Sequence, residues 1–231
     1  ALGTVNPIRE MIAMAHEHDV PVLVDGAQAA PHVPIDLQEL DCDFYAFSGH
    51  KLFAPTGIGV LWGKESLLEE WPVWQTGGEM IYEVTFQHAE WNELPYRFEA
   101  GTPNIAGAIA MGEAVRWFCG MDMTAIQAHE MALLERAHEH ANNFKDLTII
   151  GTASNKTAIL SFVLEQGHPA DIGFLLDKQG IAIRCGHHCA EPLMNRLGIP
   201  GTARASFSLY NTLDEVDALF TALHKVQDML I

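Results

Sequence analysis

The chain has 231 residues, 48% of them apolar and 19% charged, the proportions of a folded protein with a substantial core and not of a disordered one. Thirty acidic against 13 basic side chains leave a formal net charge of −17, which argues against non-specific binding to nucleic acid or to an anionic membrane. No apolar run approaches the ~20 residues that span a bilayer, and "ALGTVNPIRE" has no basic segment followed by an apolar core; the default cytoplasmic home follows from cysteines that read as reduced.

Taken in chain order, "NPIREMIAMAHEHDV" reads as a helix with Asn6 as N-cap, Pro7 in the first turn and an apolar stripe of Ile8, Met11, Ile12 and Ala15. "VPVLVDGAQ" follows as a strand ending at Asp25, its continuous apolar run that of a strand buried on both faces of a parallel sheet. A short helical piece near "DLQEL" precedes a second buried strand, "DFYAFSGHK", ending near Ser48, and a third, "GIGVLWGK". From Glu65 to Tyr96 the sequence reads as one long connection. "TPNIAGAIAMGEAVRWF" and "TAIQAHEMALLERAHEHANNF" read as helices, the first starting near Pro103. Beyond Leu147, "LTIIGT", "AILSFVL", "GIAIRC" and "ARASFSLY" read as strands, and "PADIGFLLDKQ" and "LDEVDALFTALHKVQDML" as helices, the last opening on a capping box of Thr212 and Glu215. The expectation is a partial α/β large domain over residues 1–125, with a mainly parallel sheet and flanking helices. A connecting long helix over 126–146 then leads to a small α+β domain over 147–231.

Four cysteines in a chain this long do not make a disulfide scaffold. Cys42 and Cys119, each beside apolar residues, read as reduced cysteines packed in or near the core. The histidines His16, His18, His129, His138 and His140 fall on predicted helices and read as solvated faces.

Ligands of α/β sheets collect at the carboxyl ends of strands. Asp25 closes the first strand, and Ser48, Gly49, His50 and Lys51 follow the second. A carboxylate and an amine delivered to one crevice by neighbouring strands is what pyridoxal phosphate requires: a lysine for its Schiff base and a carboxylate to keep the ring nitrogen protonated. "SGH" would supply donors to its phosphate. The aliphatic run before Asp25 would bury that carboxylate. Near the far end, "RCGHHCAEPL" packs Cys185, His187, His188 and Cys189 into five positions, open to three readings: a zinc site, a redox pair, or one reactive cysteine in a histidine-rich loop. Structural zinc sites draw ligands from two separated pairs, and no second pair is present, which weighs against metal.

Together "VDGAQ", "DFYAFSGHK", "PTGIGVLWGK", "RFEAGTPN" and "RCGHHCAEPL" resemble the second group of cysteine desulfurases, the SufS and CsdA type of the aminotransferase class V superfamily, over all 231 residues. The resemblance implies the fold of a pyridoxal-phosphate-dependent transferase. It also implies that Lys51 carries the cofactor, Asp25 pairs with its ring nitrogen, Gln28 bonds its phenolic oxygen, and Ser48 and His50 bind its phosphate. Thr102 would reach the cofactor of the neighbouring subunit in a homodimer. Arg204 would clamp the substrate carboxylate, with Arg184 in the same pocket, and Cys189 would be the nucleophile. The implied reaction converts L-cysteine to L-alanine, leaving a persulfide on Cys189 that supplies sulfur for iron–sulfur clusters or related biosynthesis through an acceptor protein of the SufE or CsdE type. His187 and His188 could lower the Cys189 pKa or orient its loop.

Family members are longer, so the resemblance implies the C-terminal part of a larger enzyme, without the histidine that stacks on the cofactor ring, that on its own binds the cofactor poorly and is inactive. Cys185 departs from the small residue usual at its position and reads as an apolar filler at the end of "IAIRC", with resolution of a Cys189 persulfide into a disulfide as the alternative. Asp25 and Lys51 do not discriminate among related enzymes on this scaffold, such as an aminotransferase, kynureninase or selenocysteine lyase, although Cys189 favours sulfur or selenium chemistry, with L-selenocysteine a further substrate. A non-catalytic alternative is a dimerising fragment.

Overall fold

A computed structural model describes residues 1–230. The chain divides into two compact units, residues 7–123 and residues 1–6 together with 124–231.

The unit of residues 7–123 opens with α1 (Ile8–His16), whose N-cap is Pro7, not Asn6; the Met11 amide donates to the Pro7 carbonyl at 3.1 Å. Ile12 is its buried residue, while Met11 is 54% exposed and lies off the apolar stripe. Strand β1 (Leu23–Asp25) pairs in parallel with β2 (Phe44–Ser48), and β2 pairs antiparallel with β3 (Gly59–Gly63). One of the two pairings is thus parallel, not most of the sheet. The link from Gly49 to Ile58 is shorter than the dozen or so residues a parallel crossover needs, so β3 must return. Helix α2 (Leu37–Leu40) is capped by Asp36, which accepts from the amides of Gln38 and Glu39.

One face of this sheet is covered by α1 and α2, and the other is buried only at Phe44, which is 2% exposed and stacked on Trp71. Val24 and Tyr45 pack with Ile12, Cys42 and the leucines of α2, whereas Leu23 and Leu61 are 52% and 53% exposed on the other side. At one end of the sheet the buried Asp43 carboxylate accepts from His16 Nε2 at 2.7 Å, the Val22 amide at 2.7 Å and Lys64 Nζ at 3.0 Å. Burial pushes this carboxyl up, but those three donors outweigh it and hold it below the usual range. His16 is therefore a half-buried structural partner, not a solvated face.

The stretch expected to be a bare connection contains α3 (Glu65–Glu70) and a hairpin of β4 (Ile81–Val84) and β5 (Ala89–Trp91). Helix α4 (Ile105–Cys119) begins at Asn104, whose side chain accepts from the Gly107 amide at 2.9 Å. Cys42 is fully buried as expected, but Cys119, the last residue of α4, is exposed.

In the other unit α5 (Met123–Asn142) contributes Leu133, Leu134, Ala137 and Ala141 to the core. Here it is a core-forming helix of the unit, where the sequence reading made it a separate connector. Strands β6 (Leu147–Ile150), β7 (Ile159–Leu164), β8 (Arg184–Gly186) and β9 (Thr202–Ser206) form an antiparallel sheet in the order β6-β7-β9-β8. Helices α6 (Pro169–Asp177) and α8 (Leu213–Leu230) cover the face that carries Leu160, Phe162, Ala203 and Ala205. The capping box forms: the Glu215 amide donates to Thr212 Oγ1 at 3.2 Å and the Thr212 amide to Glu215 Oε2 at 2.9 Å. A further short helix, α7 (Glu191–Leu197), follows β8. "GIAIRC" is strand only from Arg184.

His138 and His140 also depart from the solvated reading. His140 stacks on Phe220 with centroids 4.8 Å apart and contacts Asp217 at 2.6 Å; His138 has a buried Nε2 without a partner. His18 and His129 are exposed. Among the described residues no helix is long and apolar enough to cross a membrane.

Candidate active site

In the first unit, Asp25 ends β1 and lies opposite Ala46 of β2, while Lys51 lies in the 3-10 turn Gly49–Lys51 that follows β2. The parallel pairing of β1 with β2 brings both to the same end of the sheet. Asp25 is exposed, not buried. Strand alternation puts it with Leu23 on the face away from α1 and α2, so the preceding apolar run cannot cover it. One carboxylate oxygen accepts from the Ala27 amide at 2.9 Å, which fixes its direction. Gly26 is required beside it: a β-carbon there would overlap the ring of Tyr45. Burial pushes that tyrosine's pKa up to about 12. Ser48 Oγ and His50 Nδ1 are 2.8 Å apart. Lys51 is half-buried, Gln28 sits exposed in the turn after Asp25, and Thr102 is exposed in the bend before α4.

In the second unit, Arg184 pairs with Arg204 across β8 and β9, and Cys185 with Ala203. Alternation therefore sends Cys185 to the helix-covered face, where its sulfur bounds the space a β-carbon on Gly173 would need, at 2.6 Å. Burial raises its thiol pKa, as befits a filler. Arg184, Arg204, Thr202 and Ser161 share the opposite face. Burial first, and then Arg184, lower the Arg204 pKa, and Arg204 Nε is buried without a partner.

Beyond β8 the chain turns tightly. The Ala190 amide donates to the His187 carbonyl at 2.9 Å, and both central residues have positive φ, 56° at His188 and 61° at Cys189. That is the sense of a type I′ turn, normally built from Asn and Gly. Two side chains in this region cost about 1–3 kcal/mol each. The turn returns Cys189 to the sheet, where Arg184 Nη2 donates to its sulfur at 3.3 Å. Cys189 is exposed.

The histidines are unequal. His187 is exposed, while His188 is 8% exposed with Nε2 2.8 Å from Thr202 Oγ1 and 3.1 Å from the Thr202 carbonyl. Burial, reinforced by Arg204, lowers the His188 pKa to about 4. It is neutral near pH 7 and supplies no positive charge to a thiolate. The cation at the sulfur is Arg184, which sequence reasoning placed only in the substrate pocket. Nothing in "RCGHHC" signals this, because the contact depends on the turn folding back by five residues. Among the described residues no group of three or more His, Cys, Asp or Glu side chains is placed to hold a metal ion.

The aminotransferase class-V profile matches residues 1–219, and the chain belongs to that family. Within it, the chain is 47% identical over 230 residues to a cysteine desulfurase of Escherichia coli (strain SE11) and 46% identical over 228 to a probable cysteine desulfurase of Vibrio cholerae. Each alignment covers 99% of this chain and 56% of the relative, so the chain spans little more than half their length. The solved structure of cysteine desulfurase CsdA from Escherichia coli, in its S-sulfonic acid form, matches with a TM-score of 0.96 and 40% identity, over all of this chain and 57% of that one. The apo cysteine desulfurase of Thermococcus onnurineus NA1 matches at 0.93 and 36%, again over all of this chain and 57% of that one. The fold expected from the motifs is the fold of these structures.

Proposed function

We propose that this chain carries catalytic residues of a pyridoxal-phosphate-dependent cysteine desulfurase that converts L-cysteine to L-alanine and leaves a persulfide on Cys189. The carrying observation is the exposed Cys189 sulfur 3.3 Å from Arg184 Nη2. A guanidinium at that distance sets a cation beside the sulfur that would attack.

The donor set fits the cofactor. Asp25 ends one strand and Lys51 follows the strand paired with it, and among the described residues Lys51 has no hydrogen-bond or ion-pair partner of its own. Lys51 would hold the cofactor covalently, Asp25 its ring nitrogen and Gln28 its phenolic oxygen, with Ser48, His50 and, from the adjacent subunit, Thr102 at phosphates. When bound, the cofactor supplies an electron sink for the pair left by the departing Cα proton. Lys51 Nζ, released when the substrate amine takes its place, would take that proton and later return one to Cα. Arg204, which has no carboxylate partner among the described residues, binds the substrate carboxylate, and Arg184 stands beside it. The Cys189 sulfur attacks the substrate sulfur: an S–S bond forms, the Cβ–S bond breaks, and its electron pair stays with Cβ, which gains a proton to become the methyl of alanine. The sulfur atoms are oxidised and the carbon reduced, so no outside oxidant is needed.

Exposure of Cys189 supports onward transfer to a small acceptor protein with its own cysteine, of the SufE or CsdE type. L-Selenocysteine would meet the same sulfur. The homodimer that Thr102 requires is supported by exposed Ile105, Ile109 and Trp117 on α4. Four free cysteines accord with a reducing cytoplasmic setting.

In the full-length protein, Cys189→Ala should retain the visible absorbance of bound cofactor and form no protein persulfide from L-cysteine, whereas Lys51→Ala should lose the absorbance. Undiminished desulfuration by the Cys189 variant would remove the nucleophile assignment.

A further inference from the structure

Positive φ at two successive side-chain-bearing residues needs something to hold it, since neither His nor Cys has the conformational freedom of glycine. The Ala190-to-His187 hydrogen bond closes the turn but leaves open where the turn sits. His188 supplies that. Its ring is buried, although histidine has no reason to leave water unless bonded, and both contacts of Nε2 go to one residue, Thr202. Thr202 is itself fully buried and lies opposite Gly186, the last residue before the turn. Thr202 shares its sheet face with Arg204 and Arg184. The turn is thus fixed by a side chain to the same face that presents the guanidinium to the sulfur.

We propose that His188 is a positioning residue for Cys189: its ring, fastened to Thr202 at the start of β9, holds the turn closed and keeps the Cys189 sulfur on Arg184. The idea takes its interest from the reading of Cys189 as nucleophile, but its test measures thiol chemistry and needs no turnover. The charged side chains facing His188 are Arg204 of β9 and Arg184 of β8. His188 itself is neutral above about pH 5, so removing it deletes no charge over the range in which a thiol is titrated.

The test is the pH dependence of iodoacetamide alkylation in the whole chain, followed at each cysteine by peptide mass spectrometry. Exposed Cys119 and buried Cys42, both outside this unit, serve as internal references. With His188→Ala, alkylation of Cys189 should fall several-fold relative to Cys119 as the turn opens and the sulfur leaves Arg184. Cys119 and Cys42 should be unchanged. His188→Asn should recover most of the rate, because asparagine tolerates the left-handed conformation and retains a donor. Thr202→Val, which keeps shape and removes only the hydroxyl, should shift Cys189 in the same direction by less, and it carries the test if the alanine variant does not fold. An unchanged Cys189 profile in His188→Ala, or in Thr202→Val if that variant alone folds, overturns the proposal. So does an equal change at Cys42 and Cys119, which would mark general loosening. Loss of desulfuration with these profiles as predicted would leave it standing, and a normal profile in a protein that makes no persulfide would count against the nucleophile reading alone.

Discussion

At the scale of single residues, the chain separates side chains that look alike in sequence. His187 and His188 are neighbours, yet one is exposed and the other buried against Thr202. Cys185 and Cys189 are four apart, and strand alternation sends the first into the core while the turn sends the second to Arg184. Burial of His188 also has a consequence for stability. The folded ring titrates at about 4 and the unfolded one at its ordinary value of 6.5, so between these values the unfolded chain binds the extra proton. The contribution of the neutral ring is therefore complete above 6.5 and is lost as pH falls through that value toward 4. Acidification from about pH 7 to about pH 5 should cost about 2 kcal/mol through this group alone. Urea unfolding of His188→Asn over the same range should show a correspondingly smaller loss. His138, whose pKa burial and then Lys156 also lower, works in the same direction in both proteins and cancels in the comparison. Equal pH dependence of the two would mean that the His188 ring is hydrated.

At the scale of elements, what was legible depended on whether the deciding contact was local. The helical piece at "DLQEL", the Thr212–Glu215 box and the strand–turn of "DFYAFSGHK" are specified by residues a few positions apart, and the structure has them as read, with the Asp36 cap of α2 as an addition. The parallel pairing that unites the ends of β1 and β2 was legible from two apolar runs closed by polar residues. The antiparallel return of β3 followed from a short link that was visible but not weighed. Burial was less legible than secondary structure. An apolar run such as "VPVLVD" does not reveal that only Val24 of β1 is covered, because that depends on which sheet face meets α1. The same holds for α5, in which "MALLERAHEH" mixes core and surface positions. Leu133 is completely buried in the cluster around Phe162 and Phe220, whereas Met131, two residues earlier, is 42% exposed. Leu133→Ala should therefore lower unfolding free energy by about 2–5 kcal/mol, while Met131→Ala should change it little. Equal effects in chemical denaturation would show that this helix face is misplaced.

At the scale of the whole molecule, the net charge of −17 meets a local exception. Arg184 and Arg204 stand side by side on one sheet face, with Cys189 against the first, and among the described residues no carboxylate pairs with either guanidinium. An anion approaching the protein at large is repelled, and one approaching this sulfur meets two cations. Cys119, the last residue of α4, is an exposed thiol in the other unit and serves as the comparison. An aryl disulfide carrying carboxylates, compared with a neutral dipyridyl disulfide, reads that field directly once intrinsic reactivity is divided out. The anionic reagent should be favoured at Cys189 and disfavoured at Cys119, with Cys119→Ser and Cys189→Ser isolating each site. Raising salt from about 0.1 M to about 1 M shortens the screening length from about 10 Å to about 3 Å. The relative rate of the anionic reagent should then fall at Cys189 and rise at Cys119. A salt response of the same sign at both sites would show that the arginine pair does not govern the field at the sulfur. Opposite signs would mean that the two arginines draw anions to the Cys189 sulfur.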